Sequence, residues 1–336
     1  MLKVGIVGAG AMGGVHADAY GRIPGVKVAG IVDVRPDAAE TLALRSGTRG
    51  YTAWETWMNE EQPDVIDICL PTPMHRDAAI TAASVYGKHV ICEKPLAGSL
   101  EAAGEMIEAC DKAGVLLLVG QVLRFFPDYA KAKSLVDEGA VGTPGTIRTQ
   151  RLSSCPLGSE GWYRDMNLSG GILLDLLIHD FDWMRWTFGE VERVYAKSLL
   201  ARGAGVYDHA LVSLRFASGA IGHAVGSWAY PEGFRTQLEV AGDKGILSMN
   251  SDEEKTNRVL LHRQASGETP NVQIPESPLY SSPYEDELRH FVSCITDKRT
   301  PIVTGADAFE ALRISLAAIE SAYSGKAVTL QARGSV

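Results

Sequence analysis

Asp175 and His179 stand four residues apart, and Asp182 follows His179 by three, within the stretch Gly170–Met184. On a helix that spacing puts all three on one face. The Ile, Leu, Phe and Trp residues between them make the helix apolar nearly all round, as a buried helix is. Ionisable groups on such a helix are costly unless paired or put to use. A carboxylate one turn from an imidazole fixes its tautomer and raises its basicity, which a general base requires. A purely structural Asp–His pair is the competing reading. A metal held by Asp175, His179 and Asp182 is a third, and no second His or Cys cluster lies close by to complete it. Asp180 lies off the stripe and reads as a structural ion-pair partner.

A second constellation lies near the N-terminus. Gly8-Ala9-Gly10-Ala11-Met12-Gly13 is G-x-G-x-x-G between a strand-like run and a small-residue helix, the context in which that hexapeptide holds a dinucleotide. Gly8 permits the tight turn, Gly10 lets backbone approach a pyrophosphate, and Gly13 lets helix and strand pack closely. The helix start at Ala11 and Met12 supplies N–H donors and a partial positive charge for phosphates. Asp33 ends the next strand-like run, twenty residues after Gly13. A carboxylate there accepts from both ribose hydroxyls and repels a 2′-phosphate, which favours NAD and makes NADP the lesser expectation. Arg35 can stack on adenine or hold a 2′-phosphate. Glu93-Lys94-Pro95 follows the run His89–Cys92, and in an open parallel sheet ligands gather at the carboxyl ends of strands. An ammonium at Lys94 would hydrogen-bond a substrate hydroxyl and stabilise charge on the reacting oxygen. A solvated loop lysine is the plain alternative. Thr72 and His75 close the preceding run, where His75 would reach the nicotinamide ribose and Thr72 would face the crevice or cap a helix.

The elements that must hold these groups follow two rhythms. Up to about residue 120, short apolar runs (Leu2–Val7, Val26–Val32, Val65–Leu70, His89–Cys92, Val115–Val119) alternate with amphipathic stretches such as 11–22 and 36–45. Strands separated by helices of that length make βαβ units and a doubly wound parallel sheet. Beyond about residue 145 the period becomes two. Ala210, Val212, Leu214 and Phe216 alternate with His209, Leu211, Ser213 and Arg215, and turns at Ser218-Gly219 and Asp243-Lys244-Gly245 join further strand-like runs. This predicts a large, mostly antiparallel sheet. Tyr284–Ile295 and Ala306–Ser324 read as closing helices, and the stretch 251–283 as the least ordered. The fold class is therefore α/β in two domains, 1–121 and 122–336.

Composition excludes several classes. The chain has 336 residues and a net charge of −9, so no basic surface is evident for nucleic acid. Five scattered cysteines (Cys69, Cys92, Cys110, Cys155, Cys294) without a C-x-x-C pair argue against a disulfide framework or structural zinc. No apolar run is long enough to span a membrane. The start, Met1–Gly8, reads as a buried strand rather than a signal peptide. A soluble, cytoplasmic protein without a metal is expected.

Together, Gly-x-Gly-x-x-Gly, Thr72-Pro73, Glu93-Lys94-Pro95, Gly170-Gly171 with Asp175 and His179, and the closing segments Glu285–Phe291 and Ala306–Ser324 resemble the glucose–fructose oxidoreductase, inositol dehydrogenase and rhizopine-catabolism (Gfo/Idh/MocA) family over essentially the whole chain. The resemblance implies a Rossmann domain followed by an open-faced α/β domain whose sheet forms a homodimer or homotetramer contact. It implies hydride transfer between NAD(P) and a sugar or cyclitol hydroxyl. Lys94 would polarise the reacting oxygen, His179 would be the acid/base, and Asp175 would orient it. Glu93 and Lys94 fall with the cofactor contacts, and Arg124, Trp162, Tyr163, Arg164 and Asp182 with the substrate contacts. Ser169 and Leu177 depart from the family pattern, which often has Gly at both places, and the bulkier Leu177 would reshape the pocket. A cofactor-binding regulator on the same fold would be expected to lack Lys94 or His179; both are present.

Overall fold

Apolar runs too short for helices build the first sheet. β1 (Leu2–Val7), β2 (Val26–Val32), β3 (Gly50–Tyr51), β4 (Val65–Ile68), β5 (His89–Glu93) and β6 (Leu117–Gly120) are ordered β3-β2-β1-β4-β5-β6, every neighbour parallel. The computed structural model describes residues 1–156, 158–199, 209–230, 233–251 and 282–331. These divide into two units, 1–125 with 282–309 and 126–251 with 310–331. In the first, α1 (Ala11–Tyr20), α2 (Pro36–Arg45), α3 (Trp54–Glu61), α4 (His75–Ile80) and α5 (Leu100–Ala113) link the strands. Strand order reverses between β1 and β4, which opens a ligand crevice at the carboxyl ends there. Trp57 lies fully buried on the sheet, over positions where only glycine fits. A Cβ on Gly5 would come within 1.9 Å of its ring, and its indole N–H donates to Ala29 O at 2.6 Å.

The second unit holds β7 (Pro144–Leu152), β8 (Val191–Ser198), β9 (His209–Phe216), β10 (Ile221–Ser227), β11 (Arg235–Gly242), β12 (Ile246–Asn250) and β13 (Val328–Thr329), ordered β12-β11-β7-β10-β9-β8-β13. The β7–β10 pair is parallel and the other pairs are antiparallel. Along β9, Ala210, Val212, Leu214 and Phe216 are buried while Leu211 is exposed, the alternation expected of a sheet covered on one face. Residues 207–208, the start of the expected strand, lie outside the described residues, as do 252–281. Helices α6 (Pro127–Asp137), α7 (Met166–Ser169), α8 (Gly171–Leu174) and α9 (Ile178–Phe188) belong to this unit. The last helices are α10 (Pro283–Thr296) and α11 (Gly305–Ser324).

Two differences from the sequence reading bear on the site. The continuous helix expected over 170–184 is interrupted, with Asp175, Leu176 and Leu177 forming a turn between α8 and α9. Leu177 N–H donates to Ile172 O, five residues back, at 2.9 Å, so the register slips by one residue. The slip seats Leu177 on β10: a Cβ at Gly226 would lie 2.9 Å from Leu177 Cγ. The face shared by Asp175 and His179 is therefore not that of a regular helix. Secondly, α10 groups with residues 1–125, because its Leu288, Phe291 and Cys294 share a core with Val4, Ala17, Tyr20 and Ile31.

Candidate active site

The glycine loop between β1 and α1 has the shape its residues demand. Gly8 adopts φ +107°, and a Cβ on it would lie 2.4 Å from Cys69 O. A Cβ on Gly13 would lie 2.0 Å from Gly8 O, so helix and strand close on each other there. A Cβ on Gly10 would meet nothing within 4 Å. No side chain caps α1, which opens at Ala11 and Met12. This open cradle at a helix N-terminus fits a pyrophosphate. Thr72, at the carboxyl end of β4, keeps its buried Oγ1 without a hydrogen-bond partner among the described residues. Asp33, just past β2, accepts from Ala9 N–H at 2.8 Å and Arg35 N–H at 2.9 Å. The Arg35 guanidinium grips the same carboxylate with two bonds of 3.0 Å. Burial would raise the Asp33 pKa, but the Arg35 contacts and the backbone N–H groups hold it below the ordinary range. The side chain read as an adenine or phosphate contact is thus itself clamped to the carboxylate read as the ribose contact.

The lysine turn leaves β5 through a cis Lys94–Pro95 bond. Glu93 Oε2 accepts the Lys94 backbone N–H at 3.0 Å. His75 is buried, with Nδ1 at 2.9 Å from Pro95 O and Nε2 at 2.8 Å from Leu70 O. Burial pushes its pKa below the ordinary histidine value, and a neutral ring has one N–H to give to those carbonyls. Glu93 and His75, read from the sequence as cofactor contacts, here brace the turn from within.

Beneath the loop is a buried polar network that the sequence reading missed. His16 Nδ1 lies 2.8 Å from Asp67 Oδ2, which also accepts from the Tyr20 hydroxyl at 2.7 Å. His16 Nε2 lies 3.0 Å from Glu93 Oε1, at ion-pair distance but off the line of a straight hydrogen bond. Cys69 Sγ stands 3.4 Å from His16 Nδ1. Donor atoms of His16, Asp67 and Cys69 lie within 4.8 Å of one another, and their mutual hydrogen bonds account for that closeness without an ion. Desolvation lowers the His16 pKa, yet Asp67 and Cys69 outweigh it and leave it well above the usual value, which favours the imidazolium form. Burial pushes the Cys69 thiol up to about 12, so it is no nucleophile. All five cysteines are buried, and none forms a disulfide. The signal was present in the sequence: Asp67 interrupts the apolar strand Val65–Ile68, and His16 and Tyr20 are one turn apart on α1.

In the second unit, Asp175 and Asp182 are buried and His179 is half-buried, all on the α8–α9 segment. Asp180 forms a buried ion pair with Arg151 at 2.6 Å, the structural role read from its position off the stripe. Trp162 and Tyr163 pack ring against ring, 4.1 Å between centroids, in the short 3-10 turn that ends at the exposed Arg164. Arg124 belongs to the first unit, where it donates to Ile302 O at 2.7 Å and lies 3.5 Å from Asp307. Among the described residues, no helix is long and apolar enough to cross a membrane.

Residues 2–121 match the family described as "Oxidoreductase family, NAD-binding Rossmann fold", and residues 129–248 match the "GFO/IDH/MocA C-terminal domain". The chain is 32% identical to myo-inositol 2-dehydrogenase of Thermotoga maritima over 98% of its own length and 99% of the relative's. It is 30% identical to scyllo-inositol 2-dehydrogenase (NAD(+)) of Bacillus subtilis, over 99% and 97% of the two chains. Among solved structures it superposes on GenD2 from gentamicin A biosynthesis, in complex with NAD, with a TM-score of 0.87 at 28% identity, covering 98% and 97% of the chains. With both domains matched and relatives aligned nearly end to end, the chain belongs to the GFO/IDH/MocA family of NAD-binding oxidoreductases.

Proposed function

We propose that this chain is an NAD-dependent dehydrogenase that interconverts a ring secondary alcohol of a cyclitol or sugar and its ketone. The observation that carries the reading is the Glu93–Lys94–Pro95 turn. It is braced from within at the carboxyl end of β5, two strands from the loop whose open Gly10 side fits a pyrophosphate. Nicotinamide, when bound, supplies or takes the hydride. The Lys94 ammonium donates to the reacting oxygen and stabilises charge there. His179 takes the hydroxyl proton in oxidation and returns it in reduction, and Asp175 orients the imidazole and accepts from substrate hydroxyls. Asp182, Trp162, Tyr163, Arg164 and Arg124 are proposed to shape the remaining polyol contacts. Inositol relatives at about a third identity support a polyhydroxylated ring as substrate. We further infer a soluble, cytoplasmic homodimer or homotetramer assembled through the sheet of the second unit, with no membrane or nucleic-acid partner. The test is NADH formation from NAD+ with a panel of cyclitols, aldoses, amino sugars and sugar phosphates. Turnover of an unphosphorylated ring polyol, abolished in Lys94→Ala, is expected. No turnover across the panel, or unchanged turnover in that variant, would overturn the reading.

A further inference from the structure

The network under the nucleotide loop joins three elements through one ring. His16 is carried by α1, the helix that opens at the glycine loop; Asp67 is on β4; Glu93 ends β5. His16 is 1% exposed and Asp67 0%, so water contributes almost nothing to holding these groups apart or together. Each carboxylate needs a cationic or N–H partner there, and the ring serves both: Asp67 at 2.8 Å through Nδ1 and Glu93 at 3.0 Å through Nε2. Glu93 spends its other oxygen on the Lys94 backbone N–H. The ionisable groups facing the ring are Tyr20 from α1 itself, Asp67 and Cys69 from β4 and its exit, and Glu93 from β5, on which Lys94 acts in turn. Glu287 of α10 acts on Tyr20. Asp67, hydrogen-bonded at 2.8 Å, and Glu93, at an ion-pair distance of 3.0 Å, dominate this set.

We propose that His16 is a positioning residue for Lys94: as an imidazolium bridging Asp67 and Glu93, it fixes the carboxylate against which the Lys94 turn is built, so that α1 and the lysine turn move as one body. The positive charge of the ring, with Nε2 3.0 Å from Glu93 Oε1, is what ties β5 to α1. Without that charge the Glu93 carboxylate would lose its cationic neighbour in a buried site and would have to turn away or take up a proton itself. Burial works against the charged ring, and Asp67 and Cys69 beside it raise its pKa and favour the charged form.

The inference rests on the reading of Lys94 as the group at the reacting oxygen, so the test reads the lysine itself and needs no turnover. The full chain is labelled competitively with acetic anhydride, and Lys94 is compared by mass spectrometry with the exposed Lys27 and Lys244. The variants are His16→Asn and the double variant His16→Asn/Asp67→Asn, which restores the net charge of the cluster but not the bridge to Glu93. Lys94 is expected to change several-fold in reactivity while both control lysines stay as in wild type, and NAD+ affinity should change far less. In wild-type protein, 15N shifts are expected to show both His16 nitrogens protonated at about pH 8, where a free histidine is neutral. Lys94 labelling should then show an inflection where His16 loses its proton. A neutral His16 at that pH, or wild-type Lys94 reactivity in a folded variant, overturns the proposal. If neither variant folds, the wild-type titration decides: a labelling curve that follows one lysine ionisation, indifferent to His16, overturns it. Absence of polyol turnover would sink the dehydrogenase reading and leave this result standing.

Discussion

Lys94 and His179 are asked for different work, so their loss should be read differently. His179→Ala removes the proposed proton carrier, and a missing general base costs roughly 10²–10⁴-fold in rate. Alcohol oxidation by wild type should rise with pH as the imidazole becomes neutral, while ketone reduction should need the imidazolium; the variant should lose that dependence. Lys94→Ala should be comparably damaging, and NAD+ should bind both variants nearly as it binds wild type. Asp175→Asn should lower the rate more than the melting temperature. Single-turnover hydride transfer and thermal melts on the same preparations check the set, and the proposed roles fail if both alanine variants are stable and near wild type in rate. The Asp33–Arg35 clamp makes a second residue-scale prediction. Wild type should have the higher kcat/KM with NAD+, because Asp33 keeps its charge and repels a 2′-phosphate. Asp33→Ala removes the charge that repels a 2′-phosphate and the two bonds of 3.0 Å that hold Arg35 to it, so the preference should move toward NADP+. An unchanged ratio of the two kcat/KM values would show that Asp33 does not set the choice of cofactor.

Elements were legible where local pattern and burial agree. Leu2–Val7, Val26–Val32 and Pro36–Arg45 have the bounds that apolar runs, a turn and a proline predict, and β9 shows the period-two alternation read from its residues. The break between α8 and α9 was not legible, because it answers to a neighbour distant in sequence: Leu177 fits on Gly226 only after the one-residue slip. The role of His16 on α1 is not set by its neighbours in the chain, because its partners Asp67 and Glu93 come from strands β4 and β5. Both features are testable at this scale. Gly226→Ala should cost about 1–3 kcal/mol by overpacking, and Leu177→Ala in the same chain should recover part of it; denaturant melts that show no cost in the single variant would refute the contact. For the network, the sign follows from the directions of shift. The folded His16 pKa lies above its unfolded value, so its contribution is complete below the unfolded value of about 6.5 and is lost as pH rises through the folded pKa. Burial raises the Glu93 pKa less than His16 and Lys94 lower it, so its contribution is present above the unfolded value and is lost as pH falls through the folded one. Stability should therefore fall off on both the alkaline and the acid side of a plateau. In a folded His16→Asn protein, the part of the alkaline fall that wild type owes to this ring should be missing from melting temperature against pH.

For the whole molecule, the outer face of the second sheet sets the remaining question of assembly. Register places Leu211 of β9 between Lys197 of β8 and Val225 of β10, with Tyr195 opposite Ser213 and Ile221 opposite Arg215. Leu211 is 50% exposed in the single chain, and Tyr195 and Ile221 are exposed beside it. Toward β7 and β11 the same face turns polar, with Arg148 paired to Glu239 at 2.9 Å. A patch of apolar side chains bordered by ion pairs is how a surface meant for another protein is built, and a free sheet face of this kind favours burial against a second copy. Each chain carries a net charge of −9, so association works against mutual repulsion, which salt screens over roughly 10 Å at 0.1 M. If apolar burial drives assembly, added salt should strengthen it; if the rim ion pairs drive it, added salt should weaken it. Light scattering at micromolar concentration is therefore expected to give a mass of at least two 36.1 kDa chains, retained or increased at high salt. Leu211→Glu should put a charge in the patch and shift the equilibrium to the single chain without lowering NAD+ affinity. A wild-type monomer at those concentrations, or a dimer indifferent to Leu211→Glu, would remove this face from the assembly.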